Sequence, residues 1–580
     1  MPTSTTVALI DQSVISVDGT ALTTAVMNDL AHLTVDLTAD QPSMCELTLF
    51  DDSLTHLDGA TFDIGKVISI KFKKRDTNAL TEIFNGEIVA FEPEYDDVHV
   101  TTRIIAFDKL HRLNRALKTR VFVDQKDSDI ITSIAGENSL QTETITATTT
   151  VHKHVFQDNT SDLAFIQMLA RRNGFEVQCK LGKLSVKLPD TSSVATLTYG
   201  TDLRYFRPRF SSAGQVTKVT VKGWDVSAKT AITATKTSST SHPSTGLGQS
   251  GVALTNTKFG ASEHVEFSSD IIDSTGAQKL AQARLDEINS KFVVAEGRVS
   301  GIVAIVPGAL VTIASAGAKV NGTYAVTSAR HIYSPENGYE TEFTVEGSRP
   351  ATISGMIAPQ TDPPRVWYGV VPAIVTNNAF DSGVGNAGKV KVKFPWLDDA
   401  KESYWARVAS IGAGATRGIT SLPEVNDEVL VAFENGNFNK PYVLGGLWNG
   451  QDALPETHQT LVVDGAVVQR LWKTRTGHYL KFTEKSDLST VELKEKDGTS
   501  LMLDGTNKVI TLKDADGTFK ITLDTQNKKI TVTDGTRKVE ISDSKILVDA
   551  ASSDVEIKGS NIKLTATGNV EIKGAAVKLN

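Results

Sequence analysis

The chain has 580 residues, a formal net charge of −8, 40% hydrophobic and 22% charged residues, and two cysteines. That length supports three or four domains with buried cores, and the mildly acidic balance excludes a globally basic nucleic-acid binder. Cys45 and Cys179 form no CxxC pair and each continues an alternating apolar series, so a disulfide framework and a zinc knuckle are excluded and both read as buried small hydrophobes.

In chain order, the opening MPTSTTVALIDQ lacks the basic n-region and apolar core of a signal peptide, so folding in the cytoplasm is expected. Residues 44–50, 66–73 and 83–91 read as strands. His152 and His154, at i and i+2, share one face of a strand, but no third ligand accompanies them and no metal site is expected. Residues 161–172 read as a helix capped by Ser161 and closed by Asn173–Gly174, and residues 275–290 as a second helix. The Thr-, Ser- and Gly-rich stretch 236–251 reads as a mobile loop. Residues 299–318 carry no charge, but Pro307–Gly308 splits them, which reads as two strands joined by a turn rather than a membrane span. Acidic pairs such as Asp51–Asp52 and Asp398–Asp399 read as turn residues.

Five prolines between Pro350 and Pro372 mark a stiff linker. Five short strands follow, at 366–376, 388–397, 404–410, 427–434 and 441–448, the pattern of a small barrel of OB type. Gly383, Gly385 and Gly388 stand at GxGxxG spacing, but a dinucleotide fingerprint needs a helix directly after the glycines. The alternation Lys389, Val390, Lys391, Val392, Lys393, Phe394 is that of a strand, so the glycines read as a turn. The three lysines line one face of that strand, and Trp396, Tyr404 and Trp405 lie nearby. A barrel that binds single-stranded nucleic acid, carried on a β-solenoid stalk, is therefore the competing reading. The alternation sets it back by placing Trp396 on the apolar side.

The last segment is the most informative. Apolar–x–apolar triplets recur from Val491/Leu493 and Leu501/Leu503 through Ile510/Leu512, Ile521/Leu523, Ile530/Val532, Val539/Ile541 and Ile546/Val548 to Val555/Ile557, Ile562/Leu564, Val570/Ile572 and Val577/Leu579. Successive second members are 9 to 11 residues apart in the first five intervals and 7 to 9 in the last five, and no aromatic residue follows Phe519. Such a repeat is a quasi-one-dimensional β architecture. Two apolar side chains per strand are too few to offset the entropy of ordering each repeat in one chain. Three chains around one axis solve this, giving a prism ~150 Å long that narrows toward its end. Residues 491–580 hold 14 Lys+Arg and 14 Asp+Glu, a charged but neutral surface.

Together these features resemble the hub–spike proteins of contractile injection machines: phage tail spikes, VgrG spikes of type VI secretion, and spikes of extracellular injection particles. The residues that carry the resemblance are HVFQDNTSDLAFIQMLARRNGFEV from His154, IVPGALVTI with NGTYAVTSARHIYSPENGYETEFTV, and, most specifically, LPEVNDEVLVAFENGNFNKPYVLGGLWNG from Leu422. The resemblance implies a mainly β chain with minor α. Its parts would be a hub of β-barrels with an α/β insertion (1–355), an OB-fold with its linker (356–455) and an intertwined triple-stranded β-helix needle (456–580). It implies a homotrimer whose hub forms a pseudo-sixfold ring against inner tube and baseplate proteins, with effector cargo as a further partner. The blunt end at Lys578, Leu579 and Asn580 is expected to seat a PAAR-type tip. The spike would sit at the end of the inner tube and breach a membrane mechanically as the sheath contracts. No catalytic residues, cofactor or metal and no nucleic acid are expected. About forty residues between Gly450 and Val491 leave no room for the lysozyme domain of some phage spikes, and no effector extension is expected beyond Asn580. The compact design leans toward an extracellular particle. A fibre adhesin is the weakest alternative, because it would want a receptor-binding head at the far end.

Overall fold

A computed structural model describes residues 13–73, 79–188, 192–225, 228–240, 244–271, 273–345, 367–382, 385 and 387–579. The N-terminal dodecapeptide, Gly383, most of the proline linker and Asn580 lie outside the described residues. Two compact units divide between Leu447 and Trp448.

The first unit is built on a sheet whose strands alternate buried apolar and exposed polar side chains, so one face is core and the other is wet. Six strands make its first half: β1 (Ser13–Val17), β2 (Leu30–Thr38), β3 (Met44–Phe50), β4 (Val67–Lys73), β5 (Leu80–Tyr95) and β6 (Val100–Phe107). They lie in the order β2-β3-β6-β5-β4-β1 over a core that includes Leu33, Val35, Leu47, Ile70 and Phe72. An insertion follows, with a ribbon of β7 (Leu117–Lys126) and β8 (Val151–Ser161) and helices α1 (Asp127–Glu137) and α2 (Asp162–Arg171). Ser161 caps α2, accepting a hydrogen bond from the Ala164 amide, as its position before the apolar run predicts.

The second half holds β9 (Ser193–Thr198), β10 (Leu203–Phe210), β11 (Lys218–Asp225), α3 (Ser274–Ser290), β12 (Val293–Ser300), β13 (Leu310–Ala314), β14 (Gly322–Ala325), β15 (Ser328–Ser334) and β16 (Gly338–Val345). Here the order is β10-β12-β16-β15, and β14, just before β15 in the chain, pairs with β13, which pairs with β9. Replacing β10 by β2, β12 by β3, β16 by β6, β14–β15 by the long β5, β13 by β4 and β9 by β1 turns this order into that of the first half. One difference stands: β9 and β13 run parallel, whereas β1 and β4 are antiparallel. The halves join where β15 pairs with β2, with Arg330 opposite Asp36 and ion-paired to it at 2.5 Å.

The uncharged stretch 299–318 departs from two strands flanking a turn. β12 ends at Ser300, residues 301–309 are irregular with Gly308 at φ 81°, and β13 belongs to a different sheet. No helix among the described residues is long and apolar enough to cross a membrane. In 236–251, Lys236 closes the strand Thr230–Lys236, and the described residues then hold the two-residue strand Ser244–Thr245 before the helix Gly251–Phe259 begins.

The barrel that completes the first unit is closed. β17 (Val370–Asn377), β18 (Lys389–Phe394), β19 (Asp398–Glu402), β20 (Ala406–Val408), β21 (Glu428–Phe433) and β22 (Pro441–Gly446) lie in the order β17-β21-β22-β20-β18-β19, and β17 also pairs with β18. Asp398 and Asp399 are not turn residues: they open β19, and Asp399 reaches Lys393 at 2.7 Å. Pairing of β19 with β18, with Asp398 opposite Phe394, takes both out of the turn, although Asp398 still accepts from the Ala400 amide. The ribbon docks into this barrel. Phe156 is buried in the barrel core 4.5 Å from the Phe438 ring, its amide donates to Asn439 Oδ1 at 2.8 Å, and Trp367 Nε1 donates to Asp158.

The second unit is a nine-stranded antiparallel meander: β23 (Gln469–Lys473), β24 (Tyr479–Lys485), β25 (Leu488–Lys494), β26 (Ser500–Asp504), β27 (Val509–Lys513), β28 (Lys520–Asp524), β29 (Lys529–Thr533), β30 (Lys538–Ile541) and β31 (Ile546–Asp549). Every triplet from Val491/Leu493 to Ile546/Val548 falls in a strand. The last four do not, since residues 550–579 form no strand. From β26 on, hairpins here use strands of four or five residues and turns of four or six.

Two stability predictions follow from these cores. His331 on β15 is fully buried, with Nδ1 2.7 Å from the Tyr339 hydroxyl and Nε2 3.0 Å from the Ile305 carbonyl, and burial pushes its pKa down to about 4. Its neutral form stabilises the fold above the unfolded value, and that stability is lost as pH falls from about 6.5 to about 4, on the order of 3 kcal/mol. His331→Gln should flatten this acid limb in pH-dependent melting. Phe156→Ala should cost about 3–5 kcal/mol at the ribbon–barrel joint, read as a lower denaturant midpoint and new proteolytic cleavage in the ribbon.

Candidate functional site

The residues singled out for chemistry are spoken for structurally. His152 Nε2 lies 3.2 Å from the Asp127 carboxylate, which opens α1 and is also gripped by Arg172 and Asn173. Asp127 is held well below the usual carboxylate range: burial opposes ionisation, and the His152 and Arg172 partners outweigh it. His154 faces the barrel instead, 3.4 Å from the Glu402 carbonyl and beside the Tyr404 ring, and burial lowers its pKa. Among the described residues no cluster of three or more His, Cys, Asp or Glu could hold a metal ion. Cys45 is buried; Cys179 is half-buried, and burial pushes its thiol up to about 12. Asp51 is a turn residue as read, accepting from the His56 and Leu57 amides and the Thr102 hydroxyl.

On the barrel, Gly385 and Gly388 precede the strand β18, not a helix, which removes the dinucleotide reading. Two of the three lysines of β18 are ion-paired in place. Lys391 pairs with Glu402 and lies over the Trp405 ring at 5.4 Å, Lys393 pairs with Asp399, and Lys389 Nζ reaches the Gly385 carbonyl at 3.4 Å. Trp396 packs against Trp367 and Phe394 and donates Nε1–H to the Pro372 carbonyl at 2.9 Å. A cleft of about 580 Å³ between ribbon and barrel is lined by Lys153, His154, Lys391, Glu402 and Tyr404, and Lys153 is paired with Asp124 at 2.8 Å. Lys391, Lys393, Trp396 and Trp405 are thus engaged within the barrel rather than free to hold a strand of bases.

The feature without an internal partner is one face of the second unit. Register carries each triplet opposite the next, so the apolar side chains fall into two continuous columns. The first runs Phe482, Val491, Leu503, Ile510, Leu523, Ile530, Ile541, Ile546, and the second Trp472, Leu480, Leu493, Leu501, Leu512, Ile521, Val532, Val539, Val548. Aromatic residues stand only at the upper end of each column; below them the first column holds valine, leucine and isoleucine throughout, and the second passes from leucine to isoleucine and valine. Both columns are largely exposed: Leu493 is 56% accessible, Ile521 45% and Val548 55%. On the opposite face, Ser500 and Thr511 are buried between longer neighbours. The columns begin earlier than the triplet repeat indicates. Trp472, Leu480 and Phe482 extend them upward, and the alternation of 480 and 482 was the available signal. Lys578 and Leu579 are exposed and lie in no strand, while Asn580 is outside the described residues.

A family model described as the Alg8 N-terminal domain matches residues 8–334, and one described as the type VI secretion system/phage-baseplate injector OB domain matches residues 371–448, the closed barrel. The type VI secretion system spike protein VgrG3 of Vibrio cholerae is 33% identical over 101 residues, 17% of this chain and 9% of that protein. The spike protein VgrG1a of Pseudomonas aeruginosa is 30% identical over 109 residues, 18% of this chain and 17% of that protein. The matches thus span well under two thirds of either relative. A chain of the lidless PdpA–VgrG complex superposes with a TM-score of 0.52 at 11% identity, covering 87% of this chain and 98% of that one, a likeness of fold. With Lys391 and Lys393 paired, the full chain should show no single-stranded DNA binding tighter than the nonspecific range of about 10⁻⁴–10⁻⁶ M near physiological salt, checked by fluorescence anisotropy.

Proposed function

We infer the function of this chain from its membership: it belongs to the Alg8 N-terminal domain family, which covers more than half its length, and it is a VgrG-like hub–spike protein. It serves as the central spike of a contractile, phage tail-like injection machine. Three copies associate. Their hub regions (1–355) meet the inner tube and baseplate, the OB barrels (356–455) follow, and their C-terminal segments (456–580) wind into one shaft. That shaft punctures the target membrane by force when the sheath contracts, without catalysis. The end at Lys578, Leu579 and Asn580 seats a PAAR-type tip protein, and effector cargo travels with the spike. The design suits an extracellular particle assembled in the cytoplasm.

The observation that carries this reading is the pair of apolar columns. Seventeen apolar side chains on one face stay largely wet in the single chain. Completing their burial contributes about 1 kcal/mol each, ~15 kcal/mol per chain as an upper bound. That is comparable to or above the cost of association. A monomeric protein has no reason to leave so large a contiguous patch open. The second unit also carries 30 residues of the same triplet pattern without a strand partner in its own chain, and neighbouring copies supply that partner.

Light scattering should therefore give a three-chain mass for the full protein. Ile521→Asp, which sets a carboxylate inside the apolar column, should shift the protein toward monomer while the first unit keeps its melting transition. A monomeric full chain with intact β-structure would refute the spike.

A further inference from the structure

Asp162, the first residue of α2, gathers donors from β7, from β8 and from the end of α1. Arg120 on β7 and Gln157 on β8 stand opposite each other in the ribbon, and both donate to Oδ1, Gln157 at 3.0 Å. Oδ2 takes the Lys118 ammonium at 2.7 Å and the Asn138 side-chain amide at 2.9 Å. Lys118 lies at the root of the ribbon, paired with Thr160. Asn138 closes α1, where its side-chain amide also donates to the Ile134 carbonyl at 2.9 Å. The Asp162 side chain is 2% exposed and that of Lys118 34%. Burial opposes ionisation of Asp162, and its hydrogen bonds with Lys118, Gln157 and Asn138, together with the Arg120 charge, outweigh it.

One carboxylate oxygen thus touches an amine and the nitrogen of a carboxamide. Amide exchange needs that arrangement, because the base that takes a proton from the attacking nitrogen is then also the acid that hands it to the leaving nitrogen. Two nitrogens on one acceptor stand about 4–5 Å apart. Attack on the carbon between them needs about 3–3.5 Å, and rotation at the end of the flexible lysine stem closes the difference. Arg120 and Gln157 hold Oδ1, which keeps Oδ2 turned toward both reacting groups.

We propose that Lys118 and Asn138 join in an intramolecular isopeptide bond, with Asp162 as the catalytic residue. Oδ2 takes a proton from the Lys118 ammonium, and the freed Nζ electron pair attacks Cγ of Asn138 to form a tetrahedral centre. Oδ2 then passes that proton to Nδ2, the Cγ–Nδ2 bond breaks, and ammonia leaves. Nζ gives up its second proton as the carbonyl reforms, and the ammonia carries it off as ammonium. In sum, an ammonium and a carboxamide become a secondary amide and a free ammonium ion, with no change of oxidation state. The first proton transfer runs uphill from an ionised carboxylate, but escape of ammonium into solvent makes the whole reaction irreversible, so a slow step still goes to completion. The new amide ties the root of the ribbon to the end of α1. It restricts the unfolded chain as a disulfide of the same span would, in a protein whose two cysteines are free.

The site lies wholly within the insertion and does not depend on the spike reading. Mass spectrometry of the denatured full chain should give a value one ammonia below that of its sequence. Digestion should yield a branched peptide that joins the side chains of residues 118 and 138. Lys118→Arg keeps a cation on Asp162 but offers no attacking amine, and it should restore the full mass. A parent chain at full mass would overturn the proposal. So would a missing ammonia located elsewhere, as in a succinimide at an Asn–Gly pair, or one still missing from Lys118→Arg.

Discussion

Strand alternation is the constraint on which the second unit depends. Side chains of a strand point alternately to two faces, and an antiparallel meander in register keeps each face continuous across all its strands. Once the chain writes apolar residues at two alternate positions of every strand, both columns lie on the same side. A single-layer sheet has nothing of its own to cover that side, because its turns carry Asp, Asn, Gly and Lys rather than a second layer. The meander thus leaves one apolar face without cover in its own chain.

In the first unit the same alternation has the opposite result, because the sheet is long enough and interrupted by enough insertions to find its own cover. The cores under β1–β6 and under β10–β16 close within the chain. The ribbon of β7 and β8 buries Phe156, from the middle of β8, in the barrel core. Charge follows the same logic: the barrel lysines that suggest a nucleic-acid track are each answered from within the barrel, by Glu402, by Asp399 and by a loop carbonyl. A row of like charges in sequence is weak evidence for a ligand when acids stand one strand away.

What could be read in advance follows the length scale of each signal. The helix after Ser161 and the five barrel strands were legible because cap, periodicity and turn all lie within a dozen residues. The helix Asp127–Glu137 was not, since its Ile130, Ile131 and Ile134 are β-branched and mimic a strand until Asp127 and Asp129 are seen as its first turn. The columns were legible as triplets from Val491 but not as far up as Trp472, where an arginine and a lysine interrupt the repeat. The likeness of the two sheet halves left no trace in sequence. Long insertions separate the equivalent strands. Backbone topology retained what side-chain identity had lost.

The meander also fixes how such a shaft can change length. Each added strand reverses the chain, so a single-strand insertion would send all that follows in the wrong direction and exchange the two columns. Only hairpins, two strands at a time, leave the exit of the chain where it was. Growth is therefore quantised in steps of roughly 9–10 Å. The aromatic rings of Trp472 and Phe482 at one end and Val532, Val539 and Val548 at the other restrict it further, because a hairpin duplicated beside the rings needs different side chains from one duplicated beside the valines. Relatives of different reach should differ by whole hairpins, each carrying side chains sized to its level.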